Sequence, residues 1–486
     1  MRLIDVLPQE ILSPPGAADI PVKGVTAASS AVGPGWIFAA LPGAKADGAK
    51  FIPDAVARGA AAIIVGEDKP AETPPGVPLI RVANPRRALA LIAARFHPYQ
   101  PDIAVAVTGT SGKTSVADFT RQIFSSLGHQ AASVGTVGVI KPNGAIYGSL
   151  TTPDPVTLHA TLDGLTREGV THLAFEASSH GLDQHRLDGV RLTAAAFTNL
   201  GRDHMDYHLT VDHYFDAKMR LFTELMQPGQ AVVINADGAY ADRVIAVCKD
   251  RGLNIMTVGA KGADLKLSRA HLDGFAQALK IVHAGCHYDV RLPLVGAYQV
   301  ENVLVAAGLA IAAGENAAKV MAALPDLKGV PGRLEIIGQA KGGLAIVDYA
   351  HKPEALEAAL AACRPFVTGK LICVFGCGGD RDKGKRPIMG QISSEKADVT
   401  IITDDNPRTE QPAAIRRAIL DGAKGAQEIG DRADAINAAV AMMGKGDVVL
   451  VAGKGHESGQ IVGSTIIPFS DHEVLRLALA QVARHG

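Results

Sequence analysis

Short apolar runs that end abruptly in polar or glycine-rich loops recur along the chain. Ile103–Thr108 (IAVAVT) is β-branched and apolar, meets a glycine loop, and is followed by a helix predicted over Thr114–Ser126. His172–Glu176 (HLAFE), Ala194–Thr198 (AAAFT) and Ala231–Ile234 (AVVI) repeat the theme. Strands alternating with helices predict an α/β fold with a mostly parallel sheet covered on both faces. Further on, Ala345–Asp348, Leu371–Phe375, Val399–Thr403 and Val448–Ala452 read as buried strands. They run into the loops DYAHKP, GCGGDRDKGKR, DDNPRTE and GKGHESG. Open parallel sheets bind ligands beyond the carboxyl ends of their strands, so these four loops predict one composite site. Near the start, Trp36–Leu41 and Ala61–Val65 read as strands and Arg86–Phe96 as a helix. Proline- and glycine-rich breaks at His97–Asp102 and Lys328–Arg333 predict three domains, 1–98, 99–330 and 331–486, each of ordinary domain size.

Composition narrows the function. With 48 basic and 49 acidic residues the net charge is −1, so the 486-residue chain exerts no bulk electrostatic pull on nucleic acid or anionic lipid, and a nucleic-acid role would need a local basic patch. The apolar run Val303–Ala313 is shorter than the ~18–20 residues of a membrane span, and the first residues lack a signal-peptide pattern. A cytoplasmic protein without membrane insertion is expected. Five cysteines without CxxC spacing predict neither a disulfide framework nor a zinc site.

The sharpest chemical signal is VTGTSGKTS at 107–115. A strand, then Gly109-x-x-Gly112-Lys113-Thr114, then a helix is a phosphate-loop arrangement. Its glycines turn backbone N–H groups toward phosphate oxygens, and the helix start adds its dipole. Lys113 would reach the outer phosphates and the Thr114 hydroxyl would meet Mg2+. One departure is Val107, where the usual spacing has glycine. Glu176 and the segment Asp203-His204-Met205-Asp206-Tyr207-His208 follow strand ends downstream, where a metal ligand is expected.

Ten motifs, in order, resemble the Mur ligase family: GTSGKTS (109–115), TTPD (151–154), EASSHGLDQHR (176–186), TNLGRDHMDYH (198–208), YFDAK (214–218), VPGR (330–333), VDYAHKP (347–353), GCGGDRDKGKRP (376–387), DDNPRTE (404–410) and GKGHE (453–457). The resemblance covers essentially the whole chain. It implies an N-terminal domain holding the UDP end of the substrate, a central P-loop ATPase domain, and a C-terminal Rossmann-like domain that brings the incoming amino acid. It also implies that Gly109, Thr110, Ser111, Gly112, Lys113, Thr114 and Ser115 hold the ATP phosphates, with Asn302, Arg333 and Asp348 as further nucleotide contacts. Thr114, Glu176, His204 and Lys218 would hold Mg2+, Lys218 as a carbamate (N6-carboxylysine) that turns a cation into an anionic ligand. Without the family, Lys218 reads as an ordinary helix-surface lysine.

For the muramyl substrate the resemblance implies Thr151, Thr152, Ser178, Gln184 and Arg186; for the uridine end it implies Ser29 and the loop 43–48. Many relatives read Asp-Ser-Arg where this chain has Ala28-Ser29-Ser30. Asp405, Asn406, Pro407 and Arg408 form the loop that distinguishes diaminopimelate from lysine in the family, supported by Arg381, Gly453 and Glu457. An arginine fork suits the second carboxylate of diaminopimelate, which lysine lacks. The implied reaction is ATP-dependent: the D-Glu carboxylate of UDP-N-acetylmuramoyl-L-Ala-D-Glu is activated as an acyl phosphate, and the amine of meso-diaminopimelate displaces phosphate to form an amide. All partners would be small molecules and the enzyme a monomer. The base that takes the amine proton is left open, with His204 and His351 as candidates by type. The alternatives are another superfamily member such as a folylpolyglutamate synthase, a lysine-adding enzyme, and a P-loop protein that joins nothing.

Overall fold

The computed structural model describes residues 1–485 except 44–46, 70, 71, 73, 147 and 149. The chain packs into two compact units, one made of 1–265 and 304–320, the other of 266–303 and 321–486.

The first unit holds two sheets. In the smaller, β1 (Gly24–Thr26), β2 (Trp36–Ala39), β3 (Ala62–Gly66) and β4 (Leu79–Val82) lie side by side, all parallel. The helix Pro85–Phe96 covers it: Asn84 caps the start by accepting from Arg87 N, and Ala88, Leu89, Ile92 and Ala93 are buried.

The larger sheet of this unit is built from β5 (Ile103–Thr108), β6 (Ala131–Gly135), β7 (Gly138–Lys141), β8 (Gly144–Ile146), β9 (His172–Glu176), β10 (Ala194–Phe197), β11 (Ala231–Asn235) and β12 (Asn254–Gly259), in the order β12-β11-β10-β5-β9-β6-β7-β8. The strands from β12 to β6 pair in parallel, and β7 and β8 add an antiparallel edge. Every residue of β9 is buried, as expected of a parallel strand covered on both faces. Register aligns Thr108 with Phe197 and Val107 with Glu176, so β5, β9 and β10 end together.

The second unit contains the long hairpin of β14 (Ala276–His283) and β15 (Cys286–Leu292), reached through β13 (Leu265–Asp273). It also contains a sheet of β16 (Glu335–Ala340), β17 (Gly343–Asp348), β18 (Leu371–Phe375), β19 (Val399–Ile402), β20 (Gln427–Glu428) and β21 (Val448–Ala452), ordered β16-β17-β21-β18-β19-β20. Only β16 runs antiparallel. Pairing of Asp348 with Ala452, Phe375 with Ala452, and Phe375 with Ile402 brings four adjacent strands to one common carboxyl edge. All four polar loops singled out in the sequence leave from that edge. A small ribbon, β22 (Gly459–Val462) with β23 (Thr465–Pro468), and the helix Asp471–His485 complete the unit. Among the described residues no helix is long and apolar enough to cross a membrane.

Candidate active site

Strand β5 delivers the chain into the glycine loop and then the helix Lys113–Ser126. Gly109 has φ +145, and a Cβ there would lie 1.9 Å from Thr198 Oγ1, so the position requires glycine. Gly112 takes the left-handed conformation (φ 86) and caps the helix. The end of β10 pins the loop, because Thr110 N donates to Asn199 O at 2.9 Å and Ser111 N to Asn199 Oδ1 at 3.0 Å. The first helical turn, with Lys113, Thr114 and Ser115, presents N–H groups that have no acceptor within the helix, a ready anion site. Lys113 Nζ lies folded over the loop, donating to Gly109 O at 2.9 Å and Thr110 O at 2.8 Å.

Lys218 is not on the surface, as its sequence neighbourhood suggests; it is 1% exposed. On the helix Val211–Arg220 it shares a face with Tyr214 one turn earlier, and that face points inward. Its Nζ donates to Gly109 O at 2.8 Å and lies 4.3 Å from the centre of the Tyr214 ring. Burial first, then the charge of Lys113, pushes its pKa well below that of an ordinary lysine. Two lysine side-chain nitrogens thus donate to one carbonyl oxygen.

Glu176, 2% exposed, closes strand β9. Its Oε1 accepts from Thr136 N at 2.7 Å and its Oε2 from Thr136 Oγ1 at 3.3 Å. A Cβ on Gly135 would lie 2.1 Å from Glu176 Oε1. Sequence reasoning missed both Gly135 and Thr136. His204 sits at φ 54 with its side chain 44% exposed, edge-on to His180 at 4.8 Å and 6.2 Å from the Tyr214 ring. Tyr214 in turn bonds Thr110 Oγ1 through its hydroxyl at 3.1 Å. Among the described residues no three His, Cys, Asp or Glu side chains converge here. A hard cation therefore depends on further oxygens. An unmodified Lys218 ammonium would repel such a cation, whereas a carbamate on the same nitrogen would offer it oxygen donors.

The residues expected to meet the muramyl substrate are drawn together. Thr152 Oγ1 donates to Glu176 O at 2.9 Å and bonds Ser178 Oγ at 2.9 Å. Arg186 donates to Thr152 O at 2.7 Å and to Gln184 Oε1 at 2.8 Å. Thr151 Oγ1 meets Thr136 Oγ1 at 3.0 Å, which ties this group to Glu176. Ser29 lies on the turn Ser29–Ala31, where its hydroxyl bonds the Asp54 carboxylate and helps hold that carboxyl below its usual range. Among the described residues no hydrogen bond or ion pair joins it to the Thr152 group. Of the loop 43–48, residues Ala44, Lys45 and Ala46 lie outside the described residues.

In the second unit, the Asp348 carboxylate accepts from Leu334 N and Ala350 N, both at 2.8 Å, while burial pushes its pKa up. The Arg333 guanidinium lies 5.3 Å from the Tyr349 ring centre, and Asn302 Nδ2 donates to Gln299 Oε1 at 3.0 Å. At the common carboxyl edge opens a cavity of 740 Å³, lined by Arg381, Asp405, Asn406, Arg408, Gly453 and Glu457 together with His351 and Cys377. Pro407 is not in this lining; its carbonyl oxygen would lie 1.9 Å from a Cβ on Gly379. Glu457 Oε2 accepts from Asn406 Nδ2 at 2.9 Å and from Lys454 Nζ at 3.0 Å. Lys454, fully buried, also donates to Asn406 Oδ1 at 3.0 Å; this clamp was not read from the sequence. Arg408 has φ 52, and its guanidinium donates to Gly379 O at 2.8 Å. Cys377 is a buried thiol 3.7 Å from Met389 Sδ, its pKa pushed up to about 12 by burial, which suits an inert loop residue.

Three family models match successive parts of the chain. Residues 21–97 match "Mur ligase family, catalytic domain", residues 107–310 "Mur ligase middle domain", and residues 332–455 "Mur ligase, glutamate ligase domain". The chain is 58% identical over 484 residues to a UDP-N-acetylmuramoyl-L-alanyl-D-glutamate–2,6-diaminopimelate ligase of Bradyrhizobium diazoefficiens, covering 99% of both chains. It is 55% identical over 477 residues to the same-named ligase of Agrobacterium fabrum, covering 98% of this chain and 96% of that one. A solved structure of a ligase of that name superposes with TM-score 0.76 at 33% identity, over 100% of this chain and 99% of the other.

Proposed function

The chain belongs to the Mur ligase family, and from that premise we propose that it adds meso-diaminopimelate to the D-Glu carboxylate of UDP-N-acetylmuramoyl-L-Ala-D-Glu, using ATP, in peptidoglycan precursor synthesis. The observation that carries the reading is the cavity in which Arg408 and the clamped Glu457 stand on neighbouring loops. One guanidinium N–H of Arg408 is held by Gly379 O, and the fork has further donors for a distal carboxylate. Glu457 matches the distal ammonium. With lysine as substrate Arg408 would lack its anion, a loss of about 2–5 kcal/mol, or roughly 30- to 4,000-fold in preference.

The mechanism has two steps. First, an oxygen of the D-Glu carboxylate attacks the γ-phosphorus of ATP and the bond to ADP breaks, leaving an acyl phosphate. Lys113 and the N–H groups of the first helical turn stabilise charge on the transferred group. Thr151, Thr152, Ser178, Gln184 and Arg186 orient the muramyl substrate, and Ser29 meets its uridine end. Asn302, Arg333 and Asp348 contact the nucleotide. Thr114, Glu176, His204 and the Lys218 carbamate would hold Mg2+, which when bound neutralises phosphate charge. The carbamate forms when the neutral Lys218 amine adds to CO2 and releases a proton; the depressed pKa of Lys218 favours that neutral amine.

Second, the amine of diaminopimelate attacks the acyl carbon, phosphate leaves, and a proton passes to a base. His351 suits the task. Its Nδ1–H donates to Tyr349 O at 2.8 Å, which leaves Nε2 as the acceptor, and burial lowers its pKa so that the ring is neutral. Arg381, Asp405, Asn406, Pro407, Arg408, Gly453 and Glu457 hold the amino acid. Residues 1–98 then serve the UDP end, 99–330 ATP and 331–486 the amino acid, in a monomer acting in the cytoplasm on small soluble substrates.

Phosphate release tests the reading. Purified protein with Mg-ATP and the muramyl dipeptide nucleotide is assayed with meso-diaminopimelate, with L-lysine, and with neither. Release chiefly with diaminopimelate, and a product heavier by that residue, is the expected result. Equal release in all three assays contradicts it.

A further inference from the structure

Strand β9 ends at Glu176 beside the phosphate loop; its other end begins at His172, and there a second cluster of ligand-type side chains gathers. His129 follows the helix Lys113–Ser126, and Glu315 follows the helix Tyr298–Ala312. The three belong to the same compact unit. One ligand atom from each lies within 4.8 Å of the others. His129 Nε2 is 2.8 Å and His172 Nε2 3.7 Å from the same oxygen, Glu315 Oε1. The two imidazoles stack with centroids 3.8 Å apart, and Phe124 backs His172 at 4.8 Å. His172 Nδ1 bonds Thr171 Oγ1 at 2.9 Å, which fixes the ring with Nε2 toward the carboxylate.

We propose that His129, His172 and Glu315 bind one divalent transition-metal ion of the zinc, cobalt and nickel class, separate from the Mg-ATP site. Two imidazole nitrogens and one carboxylate oxygen are a borderline donor set that suits these ions and leaves a position for water, whereas Mg2+ asks for a shell of oxygens. Metal–ligand bonds of ~2.0–2.1 Å in a tetrahedron put ligand atoms roughly 3.3 Å apart. The two distances to Glu315 Oε1, 2.8 and 3.7 Å, bracket that value. With Nδ1–H donated to the Thr171 hydroxyl, His172 has an outer partner that leaves Nε2 free to ligate. Rings this close to parallel, 21° apart, cannot both aim at one ion, so binding turns the His129 ring out of the stack. That ring is 32% exposed, and it follows Gly128, which has φ +93 and open space around it. His172, at 11%, stays in place. The ion would tie the far end of the phosphate-loop helix to the start of the strand that carries Glu176. No cysteine takes part.

The full-length protein, stripped by chelator and kept in excess Mg2+, is titrated with Co2+ while visible absorption is followed, and with Zn2+ by calorimetry. The expected result is one tight equivalent with a four-coordinate Co2+ spectrum, and a higher unfolding temperature in Zn2+. His129→Asn, at a partly exposed side chain, and Glu315→Gln should each abolish that equivalent while thermal unfolding stays cooperative. Thr171→Val should weaken it about tenfold, and His204→Asn should leave it unchanged. The proposal is overturned if the wild-type protein takes up no such equivalent. It is also overturned if the equivalent persists in both His129→Asn and Glu315→Gln, or if it vanishes in His204→Asn.

Discussion

The phosphate-loop neighbourhood and the cavity proposed for the amino acid treat charge in opposite ways. Around the cavity, cations and anions are already matched: Lys454 with Glu457 at 3.0 Å, Arg386 with Glu410 at 2.9 Å, and Arg432 with Asp471 at 2.7 Å. Arg432 also donates to Ala452 O at 3.0 Å, beside Gly453. At the phosphate loop, Lys113 and Lys218 converge on one carbonyl, Gly109 O. In the first, these pairs are matched before any ligand arrives, and Arg408 keeps donors to spare for one. The second is costly until anions arrive. Removing a charge should therefore have opposite effects on stability in the two places.

The largest effect is expected from Lys218→Ala. Activity should fall about a thousandfold, the scale of losing a key electrostatic group, and recover in part with added acetate or formate. In protein stripped of bicarbonate, where Lys218 is unmodified, the variant should be the more stable, because a buried amine with no anionic partner has gone. Full activity in this variant would break the comparison at its first term. In the second unit, Asp471→Asn removes the partner of an arginine that is itself fully buried. That should cost about 3–4 kcal/mol of stability, read from the denaturant midpoint; a change near zero would mean that the matched pairs are not what holds the cavity. Arg408→Ala should raise the KM for diaminopimelate and shrink its advantage over lysine by about a hundredfold. An unchanged preference would place the reading of the distal carboxylate elsewhere.

The smallest effect concerns His208, fully buried, with both ring nitrogens lacking a hydrogen-bond partner among the described residues. Burial, then His213, lowers its pKa to about 4. The unfolded chain takes up this proton near pH 6.5, the folded chain only near pH 4. Stability is thus fully present above pH 6.5 and falls as the pH drops through that window. His208→Phe should flatten the curve; an unaltered pH dependence would assign the loss to other groups.

The two regions also differ in how much the sequence discloses. Leu371–Phe375 and Val448–Ala452 are strands residue for residue, because fully buried parallel strands are unbroken apolar runs. The carboxyl-edge loops could be read for the same reason: each directly follows such a run. Leu265–Asp273 was not read, since all but a few of its residues are exposed and its polar pattern carries no strand period. At the phosphate loop, the glycines and Lys113 stand in a local motif, but Gly135 and Thr136 matter only because strand register brings them to Glu176. Lys218 looks like a surface lysine until the helix bearing it is docked. Lys454 lies inside GKGHE, yet its clamp on Asn406 and Glu457 depends on a loop some fifty residues away in sequence.

The central claim is that the buried lysine beside the phosphate loop becomes an anion. Carbon-13 NMR of the protein equilibrated with labelled bicarbonate tests it directly. One carbamate resonance in the wild-type protein, absent from Lys218→Ala, is the predicted result. A fully active wild-type protein with no such resonance, or a resonance that survives in Lys218→Ala, would contradict it.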